Sequence, residues 1–140
     1  MMESVEINPT GCFANWAPLR LRELRQQSPS AALGQKLLVE NDYVRIWEVI
    51  LFPDERLPFR KIRGDYSLVA YTDGLLLTRC GCGEMRLLRF KQGDIEFLKH
   101  KVKEPIQDME NIGDETVILN IIEIKSLKRF TDSLNIKPSE

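Results

Sequence analysis

With 140 residues, 20 basic and 21 acidic side chains and a net charge of -1, the chain is sized for one domain with a real core and carries no overall field to draw in nucleic acid or an anionic membrane. Hydrophobic residues make up 43% and charged residues 29%, as in ordinary soluble globular proteins, and no apolar run reaches the length of a membrane span. The opening MMESVEINPTG lacks the basic-then-apolar order of a secretory signal, so a cytoplasmic protein without nucleic-acid or membrane partners is expected.

Residues 1–17 hold turn formers and aromatics (Asn8-Pro9, Gly11, Phe13, Trp16) without a period. Pro18 stands where a helix starts, the good helix formers LRLRELRQQ follow, and Ser28-Pro29-Ser30 ends the segment. Leu19, Leu21 and Leu24 make only a narrow stripe, which predicts a short surface helix. Residues 1–35 are therefore read as an N-terminal arm that covers a sheet edge or a partner subunit.

From Gln35 the pattern changes to short strands separated by turn signals. KLLVE and YVRIWEVILF are β-branched and aromatic, with Asn41-Asp42 between them. SLVAYT and LLLTRC flank Asp73-Gly74, a strong hairpin signal. MRLLRF, IEFLKH and TVILNIIEIK follow, set apart by Lys91-Gln92-Gly93-Asp94 and by a turn over residues 111–115. Seven or eight such strands fit an all-β sandwich or barrel. Residues 126–140 (SLKRFTDSLNIKPSE) predict a short C-terminal helix and polar tail, with Phe130 and Leu134 placed to pin it to the barrel.

Chemistry-bearing residues are few. Cys12, Cys80 and Cys82 are an odd set without a disulfide-framework spacing. Cys80-Gly81-Cys82-Gly83 reads first as a glycine-rich hairpin turn. Two thiols without a second Cys or His pair do not complete a zinc site, and Arg79 beside them leaves a redox thiol as the alternative. His100 is the single histidine, so a His-rich metal centre is excluded by count. It sits among Lys99, Lys101 and Lys103, the pattern of a solvated strand edge more than that of a general base.

Two segments give the barrel an identity. In PDERLPFRKIRGDY (residues 53–66) and GDIEFLKHKVKEPIQDMENIG (residues 93–113), the turn Pro53-Asp54-Glu55, Gly93-Asp94 and Asn111-Ile112-Gly113 resemble the two signature motifs of the cupins. NDYVRIWEVILFPDE resembles the entry strand of that family, and ILNIIEIK its closing strand. The resemblance covers residues 36–125 and is nearest to small single-domain cupins. It implies a double-stranded β-helix, or jelly-roll barrel, with residues 1–35 as arm and 126–140 as C-terminal helix and tail; it also implies a homodimer.

The same alignment removes the family's metal. The two histidine positions of the first motif fall on Arg60 and Ile62, the carboxylate position on Tyr66 or Asp65, and the histidine of the second motif on Gln107. An arginine offers only donors and an isoleucine none at all, so this set does not ligate a cation. No metal or cofactor is expected, and metal-dependent oxygenase chemistry is disfavoured. Residues two apart on a strand share a side, so Arg60 and Ile62 are expected to face inward together, near Tyr66 and Gln107. Arg60 suits a carboxylate or phosphate, while Tyr66 and Gln107 suit its orientation by hydrogen bonds. Phe59, Val69, Leu77, Phe97 or their neighbours would supply apolar walls. The opposing possibility is an internal salt bridge of Arg60 with Asp65, Glu104 or Glu110 that plugs the barrel.

Three functions compete at this point. The first is a metal-free cupin that binds a small organic anion. The second is a metal-independent isomerase, epimerase or lyase using Tyr66 with Asp65. The third is a plugged barrel that serves as a dimerisation module.

Overall fold

The computed structural model describes residues 2–26, 28–99 and 106–125. Among these residues ten strands, one short 3-10 turn (Phe13–Asn15) and one α-helix follow in the order β1 Glu3–Asn8, α1 Pro18–Gln26, β2 Lys36–Glu40, β3 Val44–Leu51, β4 Arg56–Lys61, β5 Tyr66–Ala70, β6 Gly74–Arg79, β7 Met85–Phe90, β8 Ile95–Leu98, β9 Ile106–Asn111 and β10 Val117–Ile124. They form two five-stranded antiparallel sheets, ordered β1-β7-β6-β9-β4 and β2-β3-β10-β5-β8. His100, Lys101, Lys103, Glu104, Phe130, Leu134 and the expected C-terminal helix lie outside the described residues.

The alternation of apolar and polar residues decides what lies between the sheets. On β10, Val117, Leu119 and Ile121 are buried, and the residues between them are not. Leu51 and Val49 of β3, Leu68 and Ala70 of β5, Leu76 of β6, Phe90 of β7 and Met109 of β9 meet them in one core. A strand with one wetted face requires this period of two.

Two local outcomes differ from the sequence reading. Residues 3–8, expected as an aperiodic arm, form β1, which pairs with β7 from Glu3↔Arg89 onward. That strand covers an edge of the first sheet, and short pairing of this kind needs no buried face of its own: five of its six residues are exposed. Asp73-Gly74 does not close a hairpin, because β5 and β6 belong to different sheets. The chain turns a corner there, and a Cβ on Gly74 would lie 2.5 Å from the Phe90 ring, so close packing selects the glycine. The tight hairpin is instead β6–β7, through Cys80-Gly81-Cys82-Gly83-Glu84. Gly83 has φ +101, Gly83 N–H donates to Cys80 O at 2.9 Å, and Cys80 N–H donates to Glu84 O at 2.8 Å. This is the glycine-rich turn that the sequence suggested, with Gly at the left-handed position of a three-residue loop.

The N-terminal arm fastens itself to that turn. Asn8 Nδ2 and Trp16 Nε1 both donate to Gly83 O, at 2.7 and 2.9 Å, and Gly11 N–H donates to Cys82 O at 2.7 Å. Trp16 stacks on Phe59 with centroids 6.0 Å apart. Helix α1, begun by Pro18 as expected, lies on the outside of the first sheet through an ion pair of Glu23 with Arg56.

Candidate functional site

Strand β4 presents the site because its alternation breaks. Arg56 pairs with Glu110 and Leu57 with Met109, then the register shifts before Arg60 pairs with Gln107. Four residues apart on a regular strand, Arg56 and Arg60 would share a face. The extra residue, at the edge-strand proline Pro58, turns Arg56 outward and Arg60 toward the barrel interior, a usual consequence of a bulge. The turn that launches β4 is tight: Glu55 N–H donates to Phe52 O at 2.9 Å, and Asp54 sits at φ 69.

The space between the sheets is filled at the end marked by Leu51, Leu76, Phe90 and Val117. Toward the other end a cavity of about 200 Å³ remains, with Tyr66, Gln107, Ile62, Cys80 and Thr78 among its lining residues. Its apolar walls are Leu68, Leu88, Leu98 and Met109. A small recess of about 20 Å³ adjoins it and shares Ile62, Tyr66, Gln107 and Met109, with Arg60, Leu57, Leu33, Ile121 and Asp108 also lining it. The structure thus brings Arg60, Ile62, Tyr66 and Gln107 together around one recess. Asp65 lines neither space; its carbonyl accepts from Ile124 N–H at 2.9 Å.

Among the candidate wall residues, it is the neighbours that face inward. Phe59 is buried, but against Trp16 on the outside, and Phe97 is 50% exposed. Val69 and Leu77 alternate with the buried Leu68, Ala70, Leu76 and Thr78. Knowing that strands alternate does not give their phase, and the bulge at β4 reverses it within one strand.

The charges of this region divide sharply. Glu123, buried on the inner side of β10, accepts from Trp47 Nε1 at 3.1 Å and Arg63 Nε at 3.3 Å, with an Arg45 nitrogen at 3.5 Å. Outside the first sheet, Asp108 accepts from Arg56 Nε at 2.7 Å, from Arg79 Nη1 at 2.8 Å and from the Arg79 N–H at 2.7 Å. Arg79 also reaches Glu110 at 2.9 Å, which removes Glu110 as a partner for Arg60. Arg60 differs from all of these. Its Nε is buried without a hydrogen-bond acceptor among the described residues, and burial pushes its pKa down.

Tyr66 is the other polar group of the recess. Its hydroxyl donates to Gln107 Oε1 at 3.4 Å, a long contact for an O–H donor. Burial, reinforced by nearby Cys80, pushes the phenol up to about 12, so it remains a donor at neutral pH. Cys80 lines the cavity, whereas the Cys82 sulfur accepts from Glu84 N–H at 3.4 Å and touches Thr10 Oγ1 at 3.7 Å. The two thiols therefore have separate surroundings. Sequence reasoning missed Thr78, Cys80 and Arg86 as lining residues; the even spacing of 76, 78 and 80 after the buried Leu76 carries the first two once the phase of β6 is known.

No metal site fits this set. Ile62 has no donor atom, Arg60 repels a cation, and the phenol of Tyr66 holds its proton. Among the described residues no group of three or more His, Cys, Asp or Glu side chains is placed to hold a metal ion.

No protein-family model matches the chain, and no curated protein matches it significantly. Solved structures do. A cupin domain from Bordetella pertussis Tohama I is 20% identical, with a TM-score of 0.58 over 71% of this chain and 99% of that one. An RmlC-like cupin family protein with a double-stranded β-helix fold, from Methanocaldococcus jannaschii, is 16% identical, with a TM-score of 0.51 over 69% of this chain and 83% of that one. Two five-stranded antiparallel sheets in this order agree with those likenesses, and the fold of this chain is the cupin double-stranded β-helix.

Proposed function

We propose that the barrel binds a small organic anion, held by Arg60 with Tyr66 and Gln107. The observation that carries this reading is the Arg60 guanidinium, whose Nε is buried without an acceptor among the described residues, in a recess that adjoins a cavity of about 200 Å³. A buried donor left unmatched costs roughly 1–3 kcal/mol, more for a charged group, and an incoming anion removes that cost. The mostly apolar wall with a few convergent polar groups has the make-up of a small-molecule site. The plugged-barrel alternative needs an internal carboxylate on Arg60: Glu110 is already taken by Arg79, Asp65 lines neither space, and Glu104 lies outside the described residues. The isomerase or lyase alternative loses its carboxylate, because Asp65 lines neither space.

The test is a thermal-shift and calorimetric screen of the full chain against small carboxylates and phosphorylated compounds. A hit that Arg60→Ala abolishes supports the site. A complete absence of hits favours the scaffold reading. Metal analysis of protein purified without an affinity tag runs beside it; one tightly held ion per chain contradicts the donor-set argument.

A further inference from the structure

Resting on the anion site just described, we infer that the ligand is a monocarboxylate with a short apolar tail, its head where the Arg60 recess opens into the main cavity and its tail along that cavity. Charge matching gives the head. Arg60 is the single cationic side chain lining the recess among the described residues, and the one acidic residue there, Asp108, is already bound by Arg56 and Arg79. One carboxylate neutralises it one for one. A phosphate group, carrying about -1.5 to -2 at neutral pH, would leave excess negative charge in a desolvated place, where uncompensated charge is costly.

Donor geometry agrees. Arg60 and Tyr66 both line the recess; among the described residues the Arg60 guanidinium has no acceptor at its Nε, and the Tyr66 hydroxyl is held loosely by Gln107 at 3.4 Å. Two donor side chains lining one recess suit the two oxygens of a carboxylate. Binding would replace the long Tyr66–Gln107 contact by a charge-assisted hydrogen bond and free the Gln107 amide to meet the same head group.

The tail follows from the walls. Beyond the shared Ile62, Tyr66 and Gln107, the cavity continues along Leu68, Leu88, Leu98 and Met109. Its volume of about 200 Å³ is on the scale of the roughly 150 Å³ apolar cavity that accepts benzene, a six-carbon ligand. The far wall is poorly equipped for a second carboxylate. Arg86 is already engaged by Ser4 Oγ at 2.7 Å and by Glu84 at 3.7 Å, and Lys99 is exposed, where an ion pair is worth little.

The experiment titrates the full chain, by calorimetry, with straight and branched monocarboxylates of two to eight carbons, and with succinate, inorganic phosphate and glycerol phosphate. Affinity is expected to rise at least tenfold from acetate to an optimum near five or six carbons and to fall again by eight. Arg60→Lys should lose at least tenfold at the optimum. Leu98→Phe, which narrows the cavity and leaves the head contacts alone, should move the optimum toward shorter tails without abolishing binding. Folding of each variant is checked by thermal melting. Arg60-dependent binding of the phosphorylated probes or succinate in preference to every monocarboxylate overturns the ligand class and leaves the anion site standing. Monocarboxylate binding that ignores tail length overturns the placement of the tail. If no probe binds in an Arg60-dependent way, the anion site and the ligand class fall together.

Discussion

Arg56 and Arg60 stand four residues apart on β4 and meet opposite conditions. Arg56 donates to Asp108, forks onto Glu23 of α1 and lies over the Phe59 ring, 4.9 Å from its centroid. Arg60, turned inward by the bulge, has a buried Nε with no acceptor among the described residues. The first arginine is part of what attaches the arm and helix to the barrel. The second adds an unmet demand to a core that would be more stable without it. Folding alone gives a reason for Arg56 and none for Arg60, and natural proteins commonly retain such destabilising groups where a ligand uses them.

The largest effect expected from this contrast is on the outer network. Asp108→Ala leaves two arginines facing each other without their shared acceptor, and breaking a buried pair in this way costs about 3–5 kcal/mol. Urea unfolding measures it, and a loss below about 1 kcal/mol would show that Asp108 is not holding the outer face together. Inside the barrel the sign reverses. Arg60→Met removes an unmatched buried donor while keeping most of the stem volume, so apo stability should hold or rise by about 1 kcal/mol. A fall of that size would make Arg60 a structural residue and dissolve the contrast.

A smaller effect concerns the turn that launches the strand carrying both arginines. Asp54 adopts φ 69, where an L-residue is strained by roughly 1–2 kcal/mol and glycine is not. Glycine gives back roughly 0.5–1 kcal/mol through the unfolded chain, so Asp54→Gly should stabilise by about 0.5 kcal/mol. Asp54→Ala should destabilise, and thermal melting of the pair separates the two signs.

How much of this was written in the sequence depends on the range of the interaction. The helix starting at Pro18, the strands over residues 85–90 and 117–124 and the turn at residues 80–84 follow from local chemistry, and local chemistry was legible. The strand at residues 3–8 was not, because its pairing with β7 is long-range and its own residues are mostly exposed. Asp73-Gly74 misled for the opposite reason: the same dipeptide serves a hairpin and a corner between sheets, and only Phe90, sixteen residues on, explains the glycine. In the site, the motif positions named Arg60, Ile62, Tyr66 and Gln107, which the fold gathers around one recess. The apolar walls were not legible, since the phase of each strand is set by its partners.

The smallest effect is a matter of pH and bears on the outer arginine alone. The hydrogen bond from Arg56 holds the Glu23 carboxyl below its usual 4.5, with the charges of Arg56, Arg20 and Arg79 adding to it and partial burial opposing. A carboxylate with a lowered folded-state pKa contributes stability that is present above its unfolded value and is lost as pH falls through the folded one. Because Glu23 keeps contact with water, the contribution is under about 1 kcal/mol. Wild type should therefore exceed Glu23→Gln by a constant margin above about pH 5, and the margin should close in acid. Arg60→Met should leave that acid limb unchanged, since no carboxylate of the outer network is paired with Arg60. If Arg60→Met moves the limb instead, the two arginines are coupled through the sheet, and the separation between an outer charge that builds and an inner charge that waits for a ligand does not hold.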